Sequence, residues 1–214
     1  MRVTFAGEEI LLLPEKAFFW PAEELLGFSD LHLGKAHSLQ RMGIPVPVEA
    51  HRSDLQRIGT LIENLHPKDV VILGDFIHQR DSWSDSLIEL LQLFFEDYHH
   101  VRWTLILGNH ERGSRAFLSE LPITIVDEKL IRGPLTFSHG HEVNSSEFQI
   151  EGHVHPAVRL RSGSIKLRLP CFSIEKNRLL LPSFGELTGG FEIEPNKDRK
   201  LYAVTPNEVF EVKG

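Results

Sequence analysis

The sequence predicts an α/β fold in which helices and mixed β-sheets form a layered sandwich. Three observations lead to this prediction. Short apolar runs alternate with helical patterns in the first half of the chain, the second half is rich in strand patterns, and no internal repeat or flexible linker divides the 214 residues. We therefore expect a single domain over residues 1–214, with a strand-rich C-terminal part at 157–214.

The first half alternates between strand and helix patterns. Apolar residues recur on one helical face from residue 54 to 65, and a second helical pattern with a wide apolar face covers 84–98. The runs at 70–75 (VVILGD) and 101–107 (VRWTLIL) are typical of buried strands, and a short helix is expected at 114–121. Such alternation is typical of an α/β sheet.

The second half contains mostly strand patterns. The runs ITIVDEKLI, PLTFSHG and VRLRSGSIKLRL are strand-like, and LYAVTPNEVFEV predicts a closing hairpin. An alternating half followed by a strand-rich half indicates mixed rather than purely parallel sheets.

The charge balance argues against one class of protein. A formal net charge of −7 and a pI near 5.9 do not suit a protein that coats nucleic acid through a broad basic face. They do not exclude a nuclease, because bound divalent cations offset acidic residues where a phosphate docks.

The sequence is typical of a cytoplasmic protein without a membrane segment. No run approaches the ~18 apolar residues of a membrane helix, and the apolar stretch Ile10–Leu13 is too short for the core of a secretory signal. The single cysteine, Cys171, excludes an internal disulfide. It lies in the apolar run LRLPCF, where we expect a buried structural thiol.

Polar side chains of metal-binding type follow the apolar runs. In open α/β sheets, the loops at the carboxyl ends of the strands form the ligand crevice, so we expect these side chains at one edge. They are Asp30, His32, Asp75, Asn109, His110, His139, His141, His153 and His155. Carboxylate, imidazole and amide groups without thiolate suit Mn²⁺, Fe or Zn²⁺. The set is too large for one ion and sufficient for two, and two ions ~3.5–4 Å apart are typical of displacement at phosphorus.

The stretch EGHVHP (151–156) has two interpretations. Residues two apart in a strand share a face, so His153 and His155 could be polar residues on the rim of a sheet. Alternatively, Gly152 allows a tight turn after which each histidine reaches a different ion. The other polar clusters favour the second interpretation.

Five short motifs in a fixed order carry a resemblance to a known family. DLH, GD, GNHE, HG and GHVH, spread over residues 28–156, resemble the calcineurin-like metallophosphoesterase superfamily. That resemblance implies an α/β/β/α sandwich with mixed sheets and a dinuclear centre. The segments DLHLGKAHSLQRMGIPVP, GHVHPAVRL, LRLPCF and LPSFGELTGG extend it over nearly the whole chain, toward the ligase-associated metallophosphoesterases of bacterial DNA-repair clusters.

The narrower resemblance implies a manganese-dependent phosphodiesterase that acts as a DNA-repair endonuclease or end-processing nuclease. Its substrate would be a phosphodiester such as DNA. Functional association with the DNA ligase, helicase and exonuclease of a repair cluster would follow.

The resemblance also implies a role for individual residues. Asp30, His32 and His155 would hold the first ion; Asn109, His139 and His153 would hold the second; Asp75 would bridge both; His110 would contact the scissile phosphate. His110 would serve as a general acid or stabilise charge on the leaving oxygen. A hydroxide between the ions would attack phosphorus. His141 is the alternative to His139 in the HGH motif.

Weaker candidates and rival functions remain open at this point. Arg112, His78, Lys35 and Arg41 could each face the site or simply be surface residues, and the stiff segment RMGIPVPVEA (41–50) could frame the crevice. The rival functions are a phosphomonoesterase or small cyclic-nucleotide hydrolase with the same ions, and a non-catalytic scaffold that binds protein partners.

Overall fold

The computed structural model describes residues 1–46, 50–79, 82–111, 113–140, 146–162 and 165–213. Some residues considered above lie outside these ranges: Arg112, the alternative ligand His141, residues 47–49 of the segment 41–50, and residues 163–164 of VRLRSGSIKLRL.

The first sheet contains seven strands of the described residues, in chain order. They are β1 (Arg2–Phe5), β2 (Glu8–Leu12), β3 (Phe18–Trp20), β4 (Leu25–Phe28), β5 (Asp69–Leu73), β6 (Arg102–Ile106) and β7 (Ile123–Val126). The strands from β1 to β4 pair antiparallel, whereas those from β4 to β7 pair parallel. Parallel neighbours need long crossovers, and helices supply them here.

The helices connect the parallel strands. They are α1 (Lys35–Arg41), α2 (Ala50–Leu65), α3 (Asp85–Asp97) and α4 (Arg115–Leu118), together with a short 3-10 helix (Pro21–Glu23). The hydroxyl of Ser84 caps α3 by accepting the backbone N–H of Leu87 at 3.2 Å. The apolar faces of α2 and α3 pack on one face of the first sheet, against β4, β5 and β6.

The second sheet contains the strands of the C-terminal half. They are β8 (Lys129–Arg132), β9 (Leu135–Ser138), β10 (Phe148–Glu151), β11 (Pro156–Ser162), β12 (Ile165–Glu175), β13 (Arg178–Leu180), β14 (Phe191–Glu192), β15 (Arg199–Val204) and β16 (Val209–Val212). The order is β14-β11-β12-β13-β10-β9-β8, with β15 beside β12 and β16 beside β15. β10 runs parallel to β9 and β13, so this sheet is also mixed.

Alternation along β5 shows how the layers meet. Val70 and Ile72 face the helices, whereas Val71 and Leu73 belong to the core between the two sheets. Both faces of this strand are buried, which accounts for its uninterrupted apolar run. The prediction of a layered α/β sandwich with mixed sheets is confirmed.

Several predicted elements match the structure, and the strand-like run ITIVDEKLI divides into two strands. The closing hairpin is β15 and β16, paired in antiparallel register. The run ITIVDEKLI is two strands in different sheets, because the chain turns at Asp127 and crosses from β7 to β8. The patterns did not predict the N-terminal strands β1–β3 or α1.

Two further observations bear on sequence expectations. Cys171 is fully buried and unpaired, as expected for a structural thiol. No helix among the described residues is long and apolar enough to span a membrane.

Candidate metal centre

Five loops bring the predicted residues together, each at the carboxyl end of a strand. Three loops follow β4, β5 and β6 of the first sheet, and two follow β9 and β10 of the second. They carry Asp30 and His32, then Asp75, then Asn109 and His110, then His139, then His153 and His155. The two sheets therefore meet at one rim through side chains that can bind metal.

Left-handed backbone conformations concentrate in these loops. Positive φ angles occur at Asp30 (57°), His32 (49°), Asp75 (49°), His153 (67°) and His155 (50°). Residues with a Cβ rarely adopt this region, and strain of this kind clusters at functional sites. The backbone therefore accepts an unfavourable conformation at five of the seven predicted ligands.

Two glycines allow the loops to approach each other. A Cβ on Gly108 would lie 2.2 Å from Asp75 Oδ1, and one on Gly152 would lie 2.8 Å from Asp30 Oδ2. No larger residue fits at either position without displacing a buried carboxylate.

Asp30, His32 and His155 form the first cluster. One ligand atom from each lies within 4.8 Å of the others. Asp30 Oδ1 and His155 Nε2 are 2.7 Å apart, yet neither makes a hydrogen bond with the described residues, and both atoms are buried. Buried polar atoms without partners are costly, and a cation in contact with both would satisfy them. The residues of this cluster therefore fit a metal ion.

Asp75, His139 and His153 form the second cluster, and Asn109 adjoins it. His139 Nε2 lies 3.3 Å from Asp75 Oδ2, from Asn109 Oδ1 and from His153 Nδ1. The opposite ring nitrogen, Nδ1, donates to the carbonyl of Leu73 at 2.8 Å. That bond directs Nε2 toward the cluster, as in many metal sites where a histidine donates its second N–H to the protein.

Asp75 lies between the two clusters. Its Oδ2 atom is 3.3 Å from His139 Nε2 and 3.7 Å from His32 Nε2. Its Oδ1 atom accepts the backbone N–H of His110 at 3.1 Å. One carboxylate oxygen thus faces both groups of nitrogen ligands.

His110 and His78 lie on the open side of the centre. The ring N–H at Nδ1 of His110 donates to the carbonyl of His78, while Nε2 lies 3.8 Å from Asp75 Oδ2. Nitrogen atoms of His32, His78 and His110 form a third close group. His110 and His78 also line a cavity of about 420 Å³ with Lys35, so both histidines face space that a substrate could enter.

Burial and neighbouring charges shift several pKa values in this region. Burial lowers the pKa of His32 to about 3 and that of His78 to about 4, so both are neutral at pH 7. Burial also lowers the pKa of His139, but its hydrogen bond to Asp75, the negative charges of Asp30 and Asp75 and its bond to the Leu73 carbonyl together outweigh burial and raise the pKa to about 9. Conversely, burial raises the pKa of Asp75, and the hydrogen bond and charge of His139 bring it below its ordinary value.

Glu111 is a buried residue that the sequence pattern did not single out. Its carboxylate accepts the backbone N–H groups of Asp75 (3.1 Å), Ile77 (3.1 Å) and Gly108 (2.7 Å). It therefore joins the loop after β5 to the loop after β6. Burial raises the pKa of Glu111, and the charge of Asp75 adds to this effect. Its position after Asn109 and His110 in GNHE was the signal that could have marked it.

The fold and this rim of oxygen and nitrogen donors define a metal-dependent phosphoesterase. The chain belongs to the calcineurin-like phosphoesterase family, whose model matches residues 24–193. The predictions of family and of enzyme class are confirmed.

Three solved structures are similar to the chain to different degrees. The chain is 32% identical to Pseudomonas putida nuclease MPE, with 99% of each chain covered and a TM-score of 0.84. It overlaps less closely with YfcE, a phosphoesterase from E. coli, at 18% identity over 88% of this chain and 97% of that one (TM-score 0.44). The protein of unknown function AQ665 from Aquifex aeolicus gives 17% identity over 61% and 78% (TM-score 0.42). The identities and TM-scores of these last two structures are too low to indicate a function for this chain. No curated protein matches the sequence.

Proposed function

We propose that the protein is a phosphodiesterase with two divalent cations, held by the side chains that converge at the rim. The observation that carries this proposal is that Asp30 Oδ1 and His155 Nε2 are buried and 2.7 Å apart without a hydrogen bond to the described residues, beside a second cluster that contains Asp75. Asp30, His32 and His155 would hold one cation, Asn109, His139 and His153 the other, and Asp75 would contact both.

The chemistry of the donors favours a hard or borderline ion. Imidazole, carboxylate and amide oxygen suit Mn²⁺, with Fe and Zn²⁺ as alternatives. Two such ions supply a water of lowered pKa and neutralise charge on the non-bridging phosphate oxygens. Manganese is the first choice because of the resemblance to the ligase-associated metallophosphoesterases.

The protein's own groups would orient the substrate and assist the leaving group. Asp75 holds the backbone of His110, and the carbonyl of His78 holds its ring, so that Nε2 of His110 faces the cavity. From there Nε2 can donate a proton or a hydrogen bond to the departing oxygen. Lys35 lines the same cavity and adds positive charge near a bound phosphate.

The proposed substrate is DNA, cleaved as a repair endonuclease or end-processing nuclease. The likeness to a nuclease at 32% identity over 99% of both chains supports this choice. Cooperation with the ligase, helicase and exonuclease of a repair cluster remains a proposal from the sequence resemblance, as does a cytoplasmic location.

Titration of metal-free protein with Mn²⁺ tests the proposal. We expect two bound ions per chain by elemental analysis, and metal-dependent hydrolysis of bis(p-nitrophenyl) phosphate well above that of p-nitrophenyl phosphate. His100→Ala, which removes an exposed histidine before β6, serves as the control and should leave both unchanged. Binding of a single ion, or turnover without metal, would contradict the two-cation model. Preference for the monoester would favour the phosphomonoesterase alternative.

His110→Ala tests the leaving-group role separately. A general acid matters most when the leaving oxygen is basic. We therefore expect a much larger loss of rate with DNA or an alkyl diester than with the p-nitrophenyl diester. Equal losses for all diesters would argue against proton donation by His110.

A further inference from the structure

The hairpin of β11 and β12 carries a concentration of positive charge in an otherwise acidic protein. The register places Arg159 opposite Arg168 and Arg161 opposite Lys166. Directly opposed residues share a face of the sheet, and so do residues two apart in one strand. These four residues, here called the basic ribbon, therefore present their charges on one face, and all four are exposed.

The basic ribbon is incompletely neutralised within the chain. Arg159 pairs with Glu192 through two hydrogen bonds of 2.7 and 3.0 Å, and Arg168 donates to the carbonyl of Gly190. Arg161 and Lys166 make no hydrogen bond or ion pair with the described residues. Like charges directly opposite each other destabilise a sheet. Although the net charge of the chain is −7, four cationic side chains lie together on this face. A bound anion from outside the chain would offset the repulsion between them.

The basic ribbon is continuous with the metal centre. β11 begins at Pro156, directly after His155. His155 and Arg168 line a common cavity with Lys16 and Thr188, whose hydroxyl is buried and makes no hydrogen bond with the described residues. His155 and Thr188 also line the cavity in front of His110, so the two cavities share a border.

We propose that the basic ribbon binds the phosphate backbone of a polynucleotide strand whose scissile phosphate lies at the metal centre. The inference rests on the proposed phosphodiesterase function and adds the path of the substrate beyond the site of cleavage. Arginine and lysine on one strand face, about 7 Å apart at successive positions, can contact more than one phosphate of an extended strand. Because the chain as a whole carries a formal net charge of −7, contact with a polyanion depends on local groups of cations such as this one.

The distance from the metal centre to the far end of the basic ribbon distinguishes binding of a polynucleotide from binding of a small substrate. Arg161 is six residue steps along the chain from His155, a span of roughly 20 Å in an extended strand. An aryl diester or a cyclic nucleotide at the metal centre cannot reach that far. Arg161 and Lys166 therefore distinguish a polynucleotide from a small diester.

The test is the double variant Arg161→Ala with Lys166→Ala. A matched control, Arg102→Ala with Lys68→Ala, removes the same two residue types at the amino ends of β5 and β6, away from the metal centre. Affinity for a fluorescent 20-nucleotide single strand is measured by anisotropy in metal-free buffer at several salt concentrations. Hydrolysis of bis(p-nitrophenyl) phosphate with Mn²⁺ is measured in parallel.

We expect the ribbon variant to bind the oligonucleotide roughly tenfold more weakly at 0.1 M salt, with a salt slope shallower by about 1.4. Its hydrolysis of the small diester and the affinity of the control variant for the oligonucleotide should stay at wild-type levels. Equal weakening in both variants would show an effect of net charge alone and overturn the proposal. Unchanged binding by the ribbon variant, or no binding by the wild-type protein, would also overturn it.

Two outcomes keep the proposals distinct. Absence of metal-dependent diester hydrolysis in the wild-type protein would contradict the proposed function, whereas the binding data test the basic ribbon independently. Tighter ribbon-dependent binding to phosphatidylserine vesicles than to the oligonucleotide would assign the ribbon to a membrane surface and overturn the polynucleotide assignment.

Discussion

Asp69 and Asp75 flank the same strand, and their surroundings differ in one respect. Both are buried, with 6% and 2% exposure. Asp69 begins β5 and receives hydrogen bonds of 2.7–2.8 Å from the guanidinium groups of Arg102 and Arg132. Asp75 follows the strand and has no guanidinium partner among the described residues; its carboxylate faces imidazoles, with His139 at 3.3 Å, and accepts the backbone N–H of His110.

The difference separates a structural carboxylate from one suited to metal. Arginine is permanently charged, so Asp69 is neutralised at all relevant pH values and needs no further partner. An imidazole without its second proton offers a lone pair to a metal ion, which a guanidinium cannot do. The candidate site is therefore indicated by a buried carboxylate that has histidines as neighbours and lies in loops with strained backbone conformations.

The largest effect is expected for Asp75→Ala. Both clusters lose a shared ligand, so we expect a fall in turnover of roughly a hundredfold or more, together with lower metal content. Diester hydrolysis and elemental analysis measure the two. Asp69→Ala is the matched control at the other end of β5. Near-normal activity of Asp75→Ala would remove the dinuclear model.

A smaller effect is expected for Glu111→Gln. The amide replaces one acceptor by a donor that faces a backbone N–H group, so the loops after β5 and β6 lose a bond between them. Partners that orient a ligand typically contribute about 10–100-fold to metal affinity or activity. Mn²⁺ titration should show weaker binding. Unchanged metal affinity with reduced thermal stability would mean that Glu111 serves the fold alone.

Asp69→Ala should change stability and not activity. Its loss leaves Arg102 and Arg132 without a common carboxylate, and Arg102 is largely exposed to water. We expect the free energy of unfolding to fall by about 1 kcal/mol. Urea denaturation measures it, and turnover should equal that of the wild-type protein. A tenfold loss of turnover would break the contrast between the two ends of β5.

Asp54 is a third buried carboxylate and sharpens the comparison through its pH dependence. Arg57 lies 2.9 Å from it, and Lys16 and Glu186 are also near. Burial raises the pKa of Asp54 from 3.8 to about 6, against the opposing charges of Arg57 and Lys16. The folded protein thus holds this proton to higher pH than the unfolded chain, so the contribution of Asp54 to stability falls as pH rises from about 4 to about 6.

Asp54→Asn removes that titration. The stability of the wild-type protein minus that of the variant should therefore decrease between pH 4 and pH 6 and level off above. Thermal melts of both proteins across this range measure the difference. A constant difference would show that the pKa of Asp54 is not raised by folding.

The site was more predictable from the sequence than the arrangement around it. Asp30, Asp75 and Asn109 directly follow apolar runs, and such positions fall at the carboxyl ends of strands whatever the pairing. The position of Glu111 in GNHE could have marked it as part of the site, but not its role, because that role depends on three backbone N–H groups from loops that only the folded chain brings together.

Sheet membership and register were also beyond the sequence pattern. Nothing in ITIVDEKLI indicates that β7 and β8 belong to different sheets, since both halves have strand composition. The charges of VRLRSGSIKLRL are visible in the sequence, but the pairing of Arg159 with Arg168 becomes apparent only from the antiparallel register.

The proposed ligands come from both halves of the sandwich: four, including Asp75, from loops of the first sheet and three from loops of the second. Each of the two proposed cations would be held by ligands from both sheets and would cross-link the interface, which nonpolar packing otherwise stabilises. Removal of the metal by a chelator would then weaken the association of the two sheets as well as abolish activity. The melting temperature would rise with the concentration of free metal.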